Sequence, residues 1–175
     1  MGKSTVARRY VAKHPMTLLV EVDALRVAMG GWREHPGTRL LARRLARALV
    51  ATHLEAGHDV VVAQYLGRPD FVEDLAATAE RCGAGFVELV LVAPVEVVTG
   101  RLQGRRVAGA LAPAEHPADI VPADAVADLV ADAFHRLAER AAADVAPGTV
   151  PAGGDVEDTC ARVEAALAGA GLTRS

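Results

Sequence analysis

Aromatic side chains are scarce in this chain, with three Phe, two Tyr and one Trp among 175 residues. So few rings cannot build the base-stacking platforms on which single-strand nucleic-acid binders rely. A basic excess is missing as well, since the formal net charge is −3, whereas a duplex binder carries surplus cations to displace counterions. Nucleic acid is therefore not an expected partner. No apolar run approaches the roughly 18 residues of a membrane span, and the opening MGKSTVARRY is polar, so neither an anchor nor a secretory leader is visible and no membrane partner is expected. Cysteine is limited to Cys82 and Cys160, far apart and in neither zinc nor redox spacing. They read as free thiols in a reducing compartment, which points to the cytoplasm. The histidines His14, His35, His53, His58, His116 and His135 show no metal-ligand spacing. The absence of G-x-S-x-G and H-E-x-x-H leaves esterase and metalloprotease chemistry without its residues.

What the chain has instead is aliphatic bulk. About half of it is apolar, at 51%, which is enough for one α/β domain with a sizeable core. Ser4 to Lys13 reads as a helix and Thr17 to Val22 as a strand ending at Asp23. From Pro36 to Ala56, Leu41, Leu45, Leu49 and Leu54 recur near helical spacing while Arg39, Arg43 and Arg47 line another face, and Gly57 stops the helix. Asp59 to Tyr65 holds the unbroken run Val60-Val61-Val62 that a strand buried on both faces requires. The alternation continues with a helix over Asp70 to Cys82, a strand over Phe86 to Val92, a helix over Pro94 to Arg105 and a helix over Ala123 to Ala143. A short strand at Thr149 to Ala152 precedes a last helix from about Val156 to Leu167, with Asp155 as its N-cap. Strands alternating with helices of this length predict a parallel sheet covered on both faces.

Five places are candidates to carry chemistry. Gly2-Lys3-Ser4-Thr5 is the closing half of G-x-x-x-x-G-K-[ST]. In that motif backbone N–H groups at a helix start surround the phosphates of ATP, the Lys spans the β and γ groups, and the hydroxyl holds Mg²⁺. The bland alternative is a helix start at which Ser and Thr serve as caps. Asp23 lies just past a strand's C-terminal end, the edge at which parallel sheets place ligands, and reads as a general base or as the N-cap of a helix beginning at Ala24. Arg26, one turn on, is a candidate substrate contact or a solvated helix residue. Arg101, Arg105 and Arg106 form a third charged group, with 101 and 105 on one helix face before the loop Val107 to Pro117; an exposed basic helix end reads the same way. Finally, Gln64, Tyr65 and Arg68 follow the valine strand as candidate substrate-binding residues or ordinary turn residues, and Gly153-Gly154 opens the last helix.

In this order, from Gly2-Lys3-Ser4-Thr5 through Glu21-Val22-Asp23-Ala24-Leu25-Arg26 to the arginine-bearing helix, the chain resembles the small-molecule kinase group of the P-loop NTPase fold. The members it is similar to are chloramphenicol phosphotransferase-like, gluconate kinase-like, shikimate kinase-like and AAA-family ATPase-type proteins. The resemblance covers essentially the whole chain. It implies a three-layer α/β/α domain over residues 1–175 with a lid at about 101–121. It also implies transfer of the γ-phosphoryl group of ATP to a small-molecule hydroxyl. In that reading Lys3 sits on the phosphates, Ser4 and, through water, Asp23 serve Mg²⁺, Arg101 and Arg105 stabilise the moving phosphoryl group, and Gly153 and Gly154 let the backbone approach adenine.

Two departures stand out. The pattern expects a strand and leading glycines before Gly2, so the sheet is expected to lack its central first strand, and the chain as written to bind ATP poorly. After the valine strand, where many such proteins place an Asp, Ala63-Gln64 stands instead. The competing expectations are a nucleotide-binding ATPase or regulatory module without an acceptor, and a non-functional remnant.

Overall fold

The computed structural model of the chain describes residues 2–64, 69–109, 122, 124–141 and 148–171. In chain order its elements are α1 (Lys3–Lys13), β1 (Leu18–Val20), α2 (Val22–Val27), α3 (Thr38–Glu55), β2 (Val60–Val62), α4 (Pro69–Arg81), β3 (Leu89–Val92), α5 (Val95–Gly109), α6 (Ala125–Ala141), β4 (Gly148–Pro151) and α7 (Val156–Gly169). The order of helices and strands is the one the alternation predicts, and the fold is α/β. The strands form two parallel pairs, β1 with β2 and β3 with β4. Leu18 faces Val60 and Val20 faces Val62 in the first; Leu89 faces Gly148 and Val92 faces Pro151 in the second. Among the described residues no ladder joins β2 to β3.

Helix ends follow local chemistry. At the end of α3, Gly57 takes φ +81°, its N–H reaches Leu54 O at 2.9 Å, and His58 N reaches His53 O at 3.2 Å. The end of α4 repeats the arrangement with Gly83 at φ +66°, where Ala84 N meets Ala79 O at 2.9 Å. Both are Schellman stops, and a residue without Cβ enters the left-handed region there at no steric cost. The start of α7 is capped as the sequence indicates, with Glu157 N donating to Asp155 Oδ1 at 2.7 Å.

The main core lies between β1, β2, α3 and α4. Val20, Val22, Ala42, Ala46, Val50, Phe71 and Leu75 form its buried centre, and Leu18, Val60 and Val62 pack against it. Side chains alternate along a strand, so Leu19 and Val61 turn to the other side of the pair. On α3 the face that is buried is Thr38, Ala42, Ala46 and Val50. The leucine stripe is outside: Leu41, Leu45 and Leu49 are 45%, 42% and 42% exposed. Alanine lets the helix axis come closer to the strands than leucine would, so the small residues win the inner face. The arginines act between helices, with Arg47 on Asp74 at 3.1 Å and Arg43 near Asp70 at 3.6 Å, both carboxylates on α4. A smaller cluster of Leu102, Val126 and Val130 joins α5 to α6.

Helix α1 connects the two strand pairs. It packs on β1, β2 and α7, while α7 packs on β4. Arg9 pairs with Glu157 and Lys13 with Glu164 at 2.9 Å, so the two helices run side by side in the same direction. Tyr10 sits at this junction, its phenol pushed above the ordinary 10.0 first by burial and then by the Asp59 and Glu164 carboxylates.

Two outcomes are expected. Ala46→Leu, at a position with no exposure, should destabilise by about 1–3 kcal/mol through overpacking; Leu45→Ala on the outer stripe should stay within about 1 kcal/mol. Urea unfolding decides, and the reverse ranking would mean the helix is rotated. Because folded Tyr10 holds its proton more tightly than the unfolded chain, the stability it contributes is present below pH 10 and lost as pH rises through its folded value. Tyr10→Phe should therefore show a shallower alkaline fall in Tm.

Candidate functional site

The N-terminus of α1 has no side-chain cap. Gly2 is its N-cap residue with φ −112° and ψ 6°, no side chain caps it, and the first turn holds no acid. Ser4 and Thr5 lie inside the helix instead of before it, so the capping alternative does not describe them. The early N–H groups of a helix have no intrahelical partners, and the macrodipole adds positive potential there. Lys3, the first helical residue, brings a further cation. These groups suit an anion of phosphate type.

Helix α1 leads into β1 through the short turn at residues 14–17 and packs back on that strand. The two therefore run antiparallel, and the start of α1 shares an edge with the end of β1. Arg8, midway along α1, donates to Glu21 Oε2 at 2.7 Å, just past that strand. Asp23 follows on α2. It is the second residue of that helix, whose N-cap is Glu21, so Asp23 is not the cap that a helix beginning at Ala24 would need. The helix starts earlier because Val22 is drawn into the core at 3% exposure. Arg26 is one turn further on the same helix and donates through Nε to Thr38 Oγ1 at 3.4 Å.

Because α1 and α7 run in the same direction, the loop before α7 lies at the same end as Gly2 to Thr5. Arg101 of α5 reaches this loop. Its guanidinium donates to Ala152 O at 3.0 Å and Gly154 O at 3.5 Å. At Gly153 a Cβ would stand 3.2 Å from Pro94 Cδ, whereas at Gly154 nothing lies within 4 Å. Close packing within the chain thus accounts for the first glycine. Gln64 is half-buried just after β2, and the preceding Ala63 N–H donates to Val20 O at 3.1 Å. Tyr65 and Arg68 lie outside the described residues, as does the lid segment at 110–121; Arg105 and Arg106 belong to α5, but their side chains are outside the described set. The structure thus collects Gly2 to Thr5, Asp23, Arg26 and the Gly153-Gly154 loop with Arg101 toward one end of the sheet strands. Sequence reasoning missed that Arg33 and Arg39 line a cleft together with Arg26; for Arg39 the signal was an α3 face carrying arginines without acids.

A family model described as an AAA domain matches residues 1–133, from the start of α1 into α6. The chain belongs to this AAA domain family. It is accordingly a P-loop, nucleotide-binding protein. No curated protein and no solved structure matches it significantly. Among the described residues, no helix of the AAA domain is long and apolar enough to cross a membrane.

Arg101 gives this site its structural test. Arg101→Met removes two hydrogen bonds that tie α5 to the loop before α7, and stability should drop by about 1 kcal/mol because the partly exposed carbonyls regain water. Chemical denaturation reads this directly; an unchanged midpoint would mean the guanidinium contributes nothing to holding that loop.

Proposed function

We propose that this AAA domain is an ATP-dependent phosphotransferase that moves the γ-phosphoryl group onto a hydroxyl of a small molecule. The observation that carries this is the antiparallel α1/β1 unit, which puts an uncapped helix start bearing Lys3 and the segment that carries Asp23 at one edge. Phosphoryl transfer needs an anion site and an acceptor site side by side and little else from the protein. Lys3 and the first N–H groups of α1 bind the phosphates. Asp23 orients the acceptor hydroxyl and takes its proton as the hydroxyl oxygen forms a bond to the γ-phosphorus and the bond from that phosphorus to the ADP oxygen breaks. Arg101 and Arg105 stabilise the charge of the phosphoryl group in transit, and Arg26, Gln64 and Arg68 contact the acceptor. The Gly153-Gly154 backbone approaches adenine.

Bound Mg²⁺ would neutralise charge on the phosphate oxygens. The Ser4 hydroxyl, in the first turn of α1, and the Asp23 carboxylate acting through water are suited to hold it, since Mg²⁺ keeps most of its waters and takes only one or two protein oxygens.

A second reading, an ATPase or regulatory module without an acceptor, is favoured by Ala63 and Gln64 in place of an acid after β2. ATP turnover measured with and without pools of small hydroxyl compounds separates the two. Turnover that rises with one pool supports transfer, and turnover indifferent to every pool supports the module. With the active pool, Asp23→Asn should lower transfer by about 10²- to 10⁴-fold while ATP affinity holds. Near-normal transfer in the variant would remove Asp23 from the chemistry.

A further inference from the structure

Beside Arg26 the molecule opens a cleft of about 680 Å³ between α2, the loop after it and the first half of α3. Arginines make its wall. Arg26 comes from α2, Arg33 from the loop, Arg39 and Arg43 from α3, and they face the carboxylates of Glu34 and Asp70. Asp70 engages Arg43 at 3.6 Å. Arg39 has no hydrogen-bond or ion-pair partner among the described residues. It also stands in the first turn of α3, which contains no acid and where the macrodipole opposes a cation. Arg39 and Arg43 are four residues apart, a spacing at which like charges repel. Neither arrangement helps α3 to form.

The guanidiniums at the other end of the cleft are held in place. Trp32, 8% exposed, carries Arg26 and Arg33 each 5.1 Å from its ring centre. Thr38 anchors Arg26 at 3.4 Å, and its own hydroxyl shares its proton between His35 O at 2.8 Å and Trp32 O at 3.1 Å. Cation–π attraction offsets part of the repulsion between two like charges on one indole. A bound oxyanion would remove the rest, and fixed guanidinium forks match its oxygens in pairs. Arg26 follows Asp23 by three positions on α2, so the cleft begins one helical turn from the proposed base.

From this geometry we infer that the cleft binds an oxyanion, and that the phosphoryl acceptor is a small hydroxyl compound carrying a phosphate or carboxylate group seated there. That the ligand is the acceptor rests on the phosphotransferase reading; oxyanion binding rests on the cleft alone.

Trp32 is the chain's one tryptophan, so its emission reports this cleft without a label. The full chain is titrated with inorganic phosphate and, separately, with succinate, at ionic strength held constant with sodium chloride. A saturable change in Trp32 emission is expected with at least one of them, and the tighter one names the group. Arg39→Gln should raise the midpoint about tenfold or more, the loss of a charge-assisted contact. Arg33→Gln, at another exposed position, should raise it likewise if Arg39→Gln compromises folding. A response no larger than that of chloride overturns the inference. So does a midpoint that moves with Lys3→Ala and not with Arg39→Gln, because the anion would then sit at the start of α1. Phosphoryl transfer plays no part in this signal. A silent cleft leaves the Asp23 experiment standing, and failure of that experiment leaves the cleft titration standing.

Discussion

Helix α1 is the constraint on which the rest depends. One of its sides packs on β1 and β2, and Arg9, Tyr10 and Lys13 face α7, which in turn lies on β4. The strand pairs are not hydrogen-bonded to each other among the described residues, so this helix carries much of the mechanical connection between them. The same helix presents the uncapped start with Lys3. Presenting that start and holding the two strand pairs together are therefore properties of one rod of eleven residues. A shift of α1 along its axis would disturb both at once.

The sequence was most legible where the decisive physics is local. Gly57 ends α3 because the left-handed residue after a helix needs no Cβ, and Asp155 caps α7 because its carboxylate reaches a nearby N–H. The element order follows from hydrophobic period in the same way, and membership of the AAA domain family agrees with the reading of the chain as a P-loop protein. Which face of α3 turns inward was not legible, because Leu41, Leu45 and Leu49 recur at the same interval as Ala42, Ala46 and Val50. Period alone cannot rank two stripes of equal spacing; the closeness of the strands does. Asp23 reads as a cap only if α2 begins at Ala24, and burial of Val22 moves that start. The carbonyl partners of Arg101 and the arginine cleft come from segments far apart in the chain, and no local pattern announces them.

The arginines of α3 show how one helix divides its charge between fastening a neighbour and lining a cleft. Arg47 is spent on Asp74 and Arg43 partly on Asp70, one turn apart on α4, so they fasten two helices that also share Phe71 and Leu75. Arg39 lies one turn before Arg43 and makes no ion pair among the described residues. The same repeat of four thus passes from fastening to lining a cleft without any change of residue type.

The contact between Lys13 and Glu164 spans 151 residues of chain. During synthesis at about 5–20 residues per second, α1 would leave the ribosome roughly 8–30 s before its α7 partner exists. Through that interval the face bearing Arg9, Tyr10 and Lys13 has nothing native to lie against, although β1 and β2 can already pair beside it. The helix that joins the two strand pairs is thus made well before the partner that fastens it.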